Sequence, residues 1–261
     1  MKKYLMLGPG GMGYFALLGI LKYIGDERLQ NIQEFAGSSA GSILAVLLGM
    51  GWSVDKIIEM SFSMNVGEHM KYSIRGIIAD YGLIGHASIK SELITILGCD
   101  PTFKEVEKKI HIAAFCVDRS TTVYFSQDTH PDMSVLDAVC MSISVPFLFS
   151  AFKYDDHLYV DGGLVESIPY PPFMNKSIED VLSLTINYNN NTSSDGITDL
   201  KQYIQTLGQS MLSNRIEYDT IPGIAVDIDN VNIFDFSMDD ETKIKLYTLG
   251  FETGLSNRLV W

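Results

Sequence analysis

Twice near its start the chain runs from a short apolar strand, through a glycine-rich turn, directly into an apolar helix. Tyr4-Leu5-Met6-Leu7 leads through Gly8-Pro9-Gly10-Gly11 to the run Tyr14 to Ile24. Ile32 to Ala36 leads through Gly37-Ser38-Ser39-Ala40-Gly41 to an apolar helix ending near Leu48. A short, wholly apolar strand belongs in a sheet covered on both faces, and a helix that follows it at once packs back across it. The pair predicts βα units in a largely parallel sheet, which dominates every later inference about fold.

The rest of the sequence extends the pattern. Ser53 caps another helix, Ser88 is expected to cap one ending at Leu97, and Thr102-Phe103-Lys104-Glu105 is a capping box. Strands are expected at 110–117, 122–125, 157–160 and 181–186, with helices at 134–141, 199–211 and 239–255 and a polar loop at 189–194. Residues 62–86 show no clean period and read as an irregular excursion. No repeat or Ser/Pro-rich linker divides the chain. At 29.0 kDa it can bury about 70% of its unfolded surface, enough for one core across residues 1–261.

A net charge of −13 excludes nucleic acid as the main partner, because phosphate binding needs clustered Lys and Arg. It also removes any general attraction to anionic membranes. Cys99, Cys116 and Cys140 are too few and too scattered for a disulfide framework or a zinc site, which points to a reducing compartment and a cytoplasmic protein. Residues 4–21 carry no charge and imitate a signal peptide, but Gly8-Pro9-Gly10-Gly11 interrupts the run and no small-x-small cleavage site follows.

Gly37-Ser38-Ser39-Ala40-Gly41 fits G-x-S-x-G between an expected strand and an expected helix, the setting in which a sharp turn exposes a nucleophilic serine, Ser39. A plain helix cap is the competing reading. An activated serine needs a base, and none of the five histidines lies in the last hundred residues, where an α/β-hydrolase would place one. His157 is the best of them. Asp161 is the better candidate: it ends a strand and precedes Gly162-Gly163, so its carboxylate can project from a tight turn. Burial in an apolar pocket would make such a carboxylate a stronger base. A hairpin turn is the competing reading of Asp-Gly-Gly.

Gly8, Gly10 and Gly13 also satisfy G-x-G-x-x-G, the dinucleotide fingerprint, with Glu34 near the position of a ribose-binding acid. Pro9 inside the turn weighs against that reading. The alternative is that the Gly10 and Gly11 amides face an oxyanion, where a missing side chain leaves the N–H groups accessible.

Taken together and in this order, these elements resemble the patatin-like phospholipases. The likeness runs from about residue 4 to 170. It includes the Gly-Pro-Gly-Gly-Met loop, the elbow, Thr102 to Glu105, Met141-Ser142-Ile143-Ser144-Val145-Pro146, and Leu158 to Leu164 followed by Pro169. The resemblance implies a single three-layer α/β domain with a mostly parallel sheet flanked by helices. It implies Ser39 as nucleophile, Asp161 as general base, Gly10 and Gly11 as the oxyanion hole, no metal and no cofactor. It further implies a lipid ester substrate, peripheral membrane contact and a protein activator as a partner. One departure stands out: the family loop usually carries a basic residue and then glycine where this chain has Gly13 and Tyr14. A catalytically weak lipid- or protein-binding module is therefore the second functional class, and a Ser-His-Asp esterase using His157 a third. Phe147 and Phe149 are candidates to line an acyl channel, with ordinary core as the competing reading. Residues 62–86, with Met64, Met70, Tyr72, Ile74 and Ile77, are candidates for a lid or interfacial insertion, with an ordinary surface subregion as the competing reading.

Overall fold

The structure is a computed structural model and describes residues 1–64, 67, 73–189, 203–204, 206–207 and 220–257. Its main sheet contains β1 (Tyr4–Leu7), β2 (Glu34–Ser38), β4 (Lys109–Cys116), β5 (Thr121–Ser126), β7 (Phe152–Tyr154), β8 (His157–Asp161), β9 (Val181–Asn189) and β10 (Gly223–Asp229). The strand order is β10-β9-β1-β2-β4-β8-β7, with β5 also paired to β4. Strands β10, β9, β1, β2 and β4 are mutually parallel, whereas β5 and β8 run antiparallel to β4, and β7 to β8. β3 (Gly82–Ile84) and β6 (Phe147–Phe149) form a separate parallel pair.

The helices that matter for the site are α1 (Tyr14–Ile24), α3 (Ala40–Gly49), α4 (Val54–Ser63), α6 (His86–Leu97) and α7 (Val135–Ser142), with the short α2 (Asp26–Leu29) and α5 (Ile74–Ala79) between them. Alternation along the strands divides the core. Leu5, Leu7 and Phe35 face the helices, packed with Phe15, Leu18 and Leu44. Tyr4, Met6 and Ala36 face the other way and are covered by Ile168 and Phe173. Each of the buried Leu, Ile, Met and Phe side chains contributes roughly 1.5–3 kcal/mol on burial. The segment that imitates a signal peptide is thus β1 and α1, at the centre of this core. No described helix is long and apolar enough to cross a membrane.

Several expectations need revision. The excursion at 62–86 contains the end of α4, then α5 and β3, whose six and three residues are too short to show a period. Met70 and Tyr72 lie outside the described residues. So do 190–194 of the expected polar loop, and all of the expected helix at 199–211 except 203–204 and 206–207. α6 starts at His86, so Ser88 is inside the helix and not its cap. Strands β6, β7 and β10 were not anticipated. All three cysteines are free, Cys116 and Cys140 buried and Cys99 exposed.

Candidate active site

Ser39 sits where β2 ends and α3 begins, with φ 52 and ψ −129, a conformation unfavourable for a residue with a side chain. The turn is held from several directions. The Ser39 N–H donates to Ser142 Oγ at 2.9 Å, and the Ser39 carbonyl accepts from Ser42 Oγ at 2.6 Å. Gly41 lets α3 approach the end of β1: a Cβ there would lie 2.2 Å from the Leu7 carbonyl oxygen.

Asp161 reaches the same place from an antiparallel strand. Ser38 stands opposite Ala113 on one side of β4, and Asp161 stands opposite Ala114 on the other. β8 ends at that rung, so its last carboxylate arrives beside the elbow. Ser39 Oγ donates to Asp161 Oδ2 at 2.6 Å, and the Gly163 N–H donates to Asp161 Oδ1 at 2.7 Å. The Asp161 N–H donates to the Ser144 carbonyl at 2.9 Å. The Asp161 side chain is fully buried and Ser39 is 6% exposed, so the bond between them is shielded from competing water. The competing hairpin reading of Asp161-Gly162-Gly163 is not what forms: the chain turns through a short 3-10 turn over Gly162–Leu164.

The glycine loop closes the third side. Pro9 packs on the Asp161 turn so tightly that a Cβ on Gly163 would lie 2.5 Å from Pro9 Cβ. No described residue accepts a hydrogen bond from the Gly10 or Gly11 N–H. Gly11 and Ser39 share the wall of a cavity with about 140 Å³ open to the centres of water-sized molecules. Its other walls are mainly apolar and come from α3, α4, α6 and α7, including Leu47, Met60, Leu93 and Val139, with Phe149 from β6. Tyr14 is one of the polar contributors, and burial pushes its phenol up to about 12, partly offset by a hydrogen bond with Ser61, so it is neutral at physiological pH.

Phe149 lines this cavity and Phe147 does not; Met64, from the end of the 62–86 excursion nearest α4, lines it as well. Phe147 has φ +66 and is 45% exposed, so the usual same-face relation of residues i and i+2 in a strand is broken at its first position. His157 is also displaced from the site. It starts β8 while Asp161 ends it, about 13 Å apart along an extended strand. There its Nε2 lies 2.6 Å from Arg119 Nη2 and its Nδ1 3.7 Å from Asp118 Oδ2. Cys116, Asp118 and His157 bring ligand-type atoms within 4.8 Å of one another, but the adjacent Arg119 guanidinium disfavours a cation.

The dinucleotide reading fails on geometry. Glu34 begins β2, at the end of the strand opposite to the elbow, and bonds His111 at 2.9 Å and Lys176 at 3.2 Å. Burial alone would raise the Glu34 carboxyl, but these bonds and the Lys109 charge hold it below the usual range. It is therefore committed to this network and remote from the glycine loop.

Two serines at the site were not singled out by sequence. Ser142 binds the elbow N–H, and Ser144 links Asp161 to His86. Ser144 Oγ donates to the Cys140 carbonyl at 2.6 Å, so it accepts from His86 Nε2–H at 2.8 Å. Burial lowers the His86 imidazole to about 4, which keeps it neutral. The signal was present as Ser-Ile-Ser before Val145-Pro146, but serines near the end of a helix do not by themselves report a distant partner.

A mostly parallel α/β sheet with a buried serine on a strained elbow, bonded directly to a carboxylate, defines a candidate serine hydrolase. The chain belongs to the patatin-like phospholipase family, whose profile it matches over residues 5–174. It is 30% identical to the R571 protein of Acanthamoeba polyphaga mimivirus, over 83% of this chain and 77% of that protein. It is 27% identical to "Probable lipid hydrolase 463L" of Invertebrate iridescent virus 6, over 64% of this chain and 61% of that one. Among solved structures, VipD from Legionella pneumophila superposes with a TM-score of 0.64 at 14% identity, over 98% of this chain and 66% of that chain. ExoU of Pseudomonas aeruginosa, in complex with SpcU, superposes with a TM-score of 0.54 at 17% identity, over 100% of this chain and 53% of that chain. The chain therefore spans about half to two thirds of the length of several of these proteins.

Proposed function

We propose that the protein is a serine acyl hydrolase that releases fatty acids from phospholipids or related lipid esters. The observation that carries this reading is the 2.6 Å bond from Ser39 Oγ to Asp161 Oδ2 beside an apolar cavity. The ester carbonyl lies against the Gly10 and Gly11 N–H groups with its acyl chain in the cavity. Ser39 Oγ attacks the carbonyl carbon as Asp161 takes its proton. The carbonyl oxygen becomes an oxyanion, met by the loop N–H groups and by the N-terminal end of α3. Collapse breaks the ester C–O bond, and Asp161 returns its proton to the leaving alkoxide. Water then gives a proton to Asp161 and attacks the acyl-Ser39, releasing the acid and restoring the serine.

The binding-module reading is disfavoured by the same bond, since a dyad without chemistry has no need of a strained, pre-aligned hydroxyl. With a charge of −13, contact with a lipid surface is through apolar side chains. A panel of phospholipids and neutral esters with mass-spectrometric detection of products tests the proposal. Fatty acid release by the wild type and none by Ser39→Ala is expected. Equal release by both would overturn it.

A further inference from the structure

The glycine loop is held by residues far outside the part of the chain that matches the family. The Gly10 carbonyl accepts from the Gly13 N–H at 2.8 Å and from the Tyr188 hydroxyl at 2.8 Å. A carbonyl oxygen has two lone pairs, and here both are used. The Gly10–Gly11 peptide is trans, so its N–H points opposite to its C=O. Whatever fixes the Gly10 carbonyl therefore also aims the Gly11 N–H, one of the two candidate oxyanion donors.

A second tether lies one residue on. The Met12 N–H donates to the Ile233 carbonyl at 2.8 Å, and a Cβ on Gly11, which has φ +47, would lie 2.5 Å from that same oxygen. Tyr188, on β9, is partly buried against the core, so its ring is a fixed support. Its hydroxyl also occupies the space over Gly13, where a Cβ would approach it to 2.9 Å. Gly13 is the position at which the loop departs from the basic residue expected by resemblance. The departure and the tyrosine thus fit one another.

We propose that Tyr188 is a positioning residue for the oxyanion loop. It holds the Gly10–Gly11 peptide so that the Gly11 N–H meets negative charge as it forms. The proposal rests on the hydrolytic reading of Ser39. Because the oxyanion exists only beyond the ground state, the clamp acts on kcat and not on substrate binding.

Tyr188→Phe keeps the ring and removes the hydroxyl. Losing an oxyanion donor outright costs about 10²–10³-fold, so a misaimed donor is expected to lower kcat by about tenfold with KM within about twofold. Gly13→Ala is an independent approach: Gly13 has φ −62, which alanine adopts freely, and the new methyl displaces the hydroxyl. It should lower kcat similarly, and the double variant should be no worse than either single variant. Thermal melts of each variant identify loss of folding. Wild-type kcat in a folded Tyr188→Phe, a loss confined to KM, or additive losses in the double variant would overturn the clamp. Turnover that survives Ser39→Ala would instead overturn the hydrolytic reading and the clamp with it.

Discussion

Ser38 and Asp161 stand on opposite neighbours of one strand, opposite Ala113 and Ala114, and this adjacency brings Asp161 Oδ2 to 2.6 Å from Ser39 Oγ. The contact depends on β8 running against the parallel strands and stopping at that rung. A carboxamide at 161 would preserve size but could no longer accept a proton. Asp161→Asn should lower kcat by about 10²–10⁴-fold with little change in KM, as measured with a soluble short-chain ester. A variant within fivefold of wild type would remove Asp161 as the base.

The elbow's backbone strain is offset by the bond from the Ser39 N–H to Ser142 Oγ, and Ser142 is fully buried. Ser142→Ala leaves that N–H without its acceptor in a dry site. It should cost about 1–3 kcal/mol in urea unfolding and also reduce turnover. Unchanged stability would mean that the elbow is held without this serine.

His86 supplies a pH dependence of stability. Burial lowers its folded pKa to about 4, below the unfolded value of 6.5. Between those values the unfolded chain binds a proton that the folded chain refuses, so stability falls as pH drops from about 6.5 to 4 and is flat above. The full effect is about 3–3.5 kcal/mol. Urea titrations at pH 7 and pH 4.5 should show a smaller acid loss in His86→Gln than in wild type. An identical acid loss in both would exclude His86 as its source.

The cavity predicts chain-length selectivity. Ile143 lines it next to Ser142 and is partly exposed, so a larger side chain there intrudes on the cavity with limited strain on the core. Ile143→Trp should reduce kcat/KM for palmitoyl esters by about tenfold or more while leaving butyryl esters within about twofold. Equal losses on both would argue that acyl chains do not use this cavity.

Ser39 and Asp161 were legible because each stands in a strand-to-turn setting that local spacing reports. Tyr14 to Ile24 was read with its observed bounds for the same reason. The direction of β8 was not legible, since antiparallel and parallel strands have the same local pattern when both faces are buried. β10 has a period of two that is visible in the sequence: Ile224, Val226 and Ile228 are buried while Gly223, Ala225, Asp227 and Asp229 are exposed. Phe147 was misplaced because a positive φ reverses the expected alternation. The Tyr188–Gly10 bond, the Ser39–Ser142 bond and the Ser144–His86 bond join residues 178, 103 and 58 positions apart. Contacts at such separations are set by the assembled sheet and are invisible to any local window.

The central claim is that Ser39 carries the acyl group. The most direct measurement is rapid acid quench of the enzyme with a lipid ester, followed by peptide mass spectrometry. An acyl adduct on the peptide containing Ser39 is expected, accumulating before steady state and absent from Ser39→Ala. Fatty acid release by Ser39→Ala at the wild-type rate, or an adduct mapped to another residue, would contradict it.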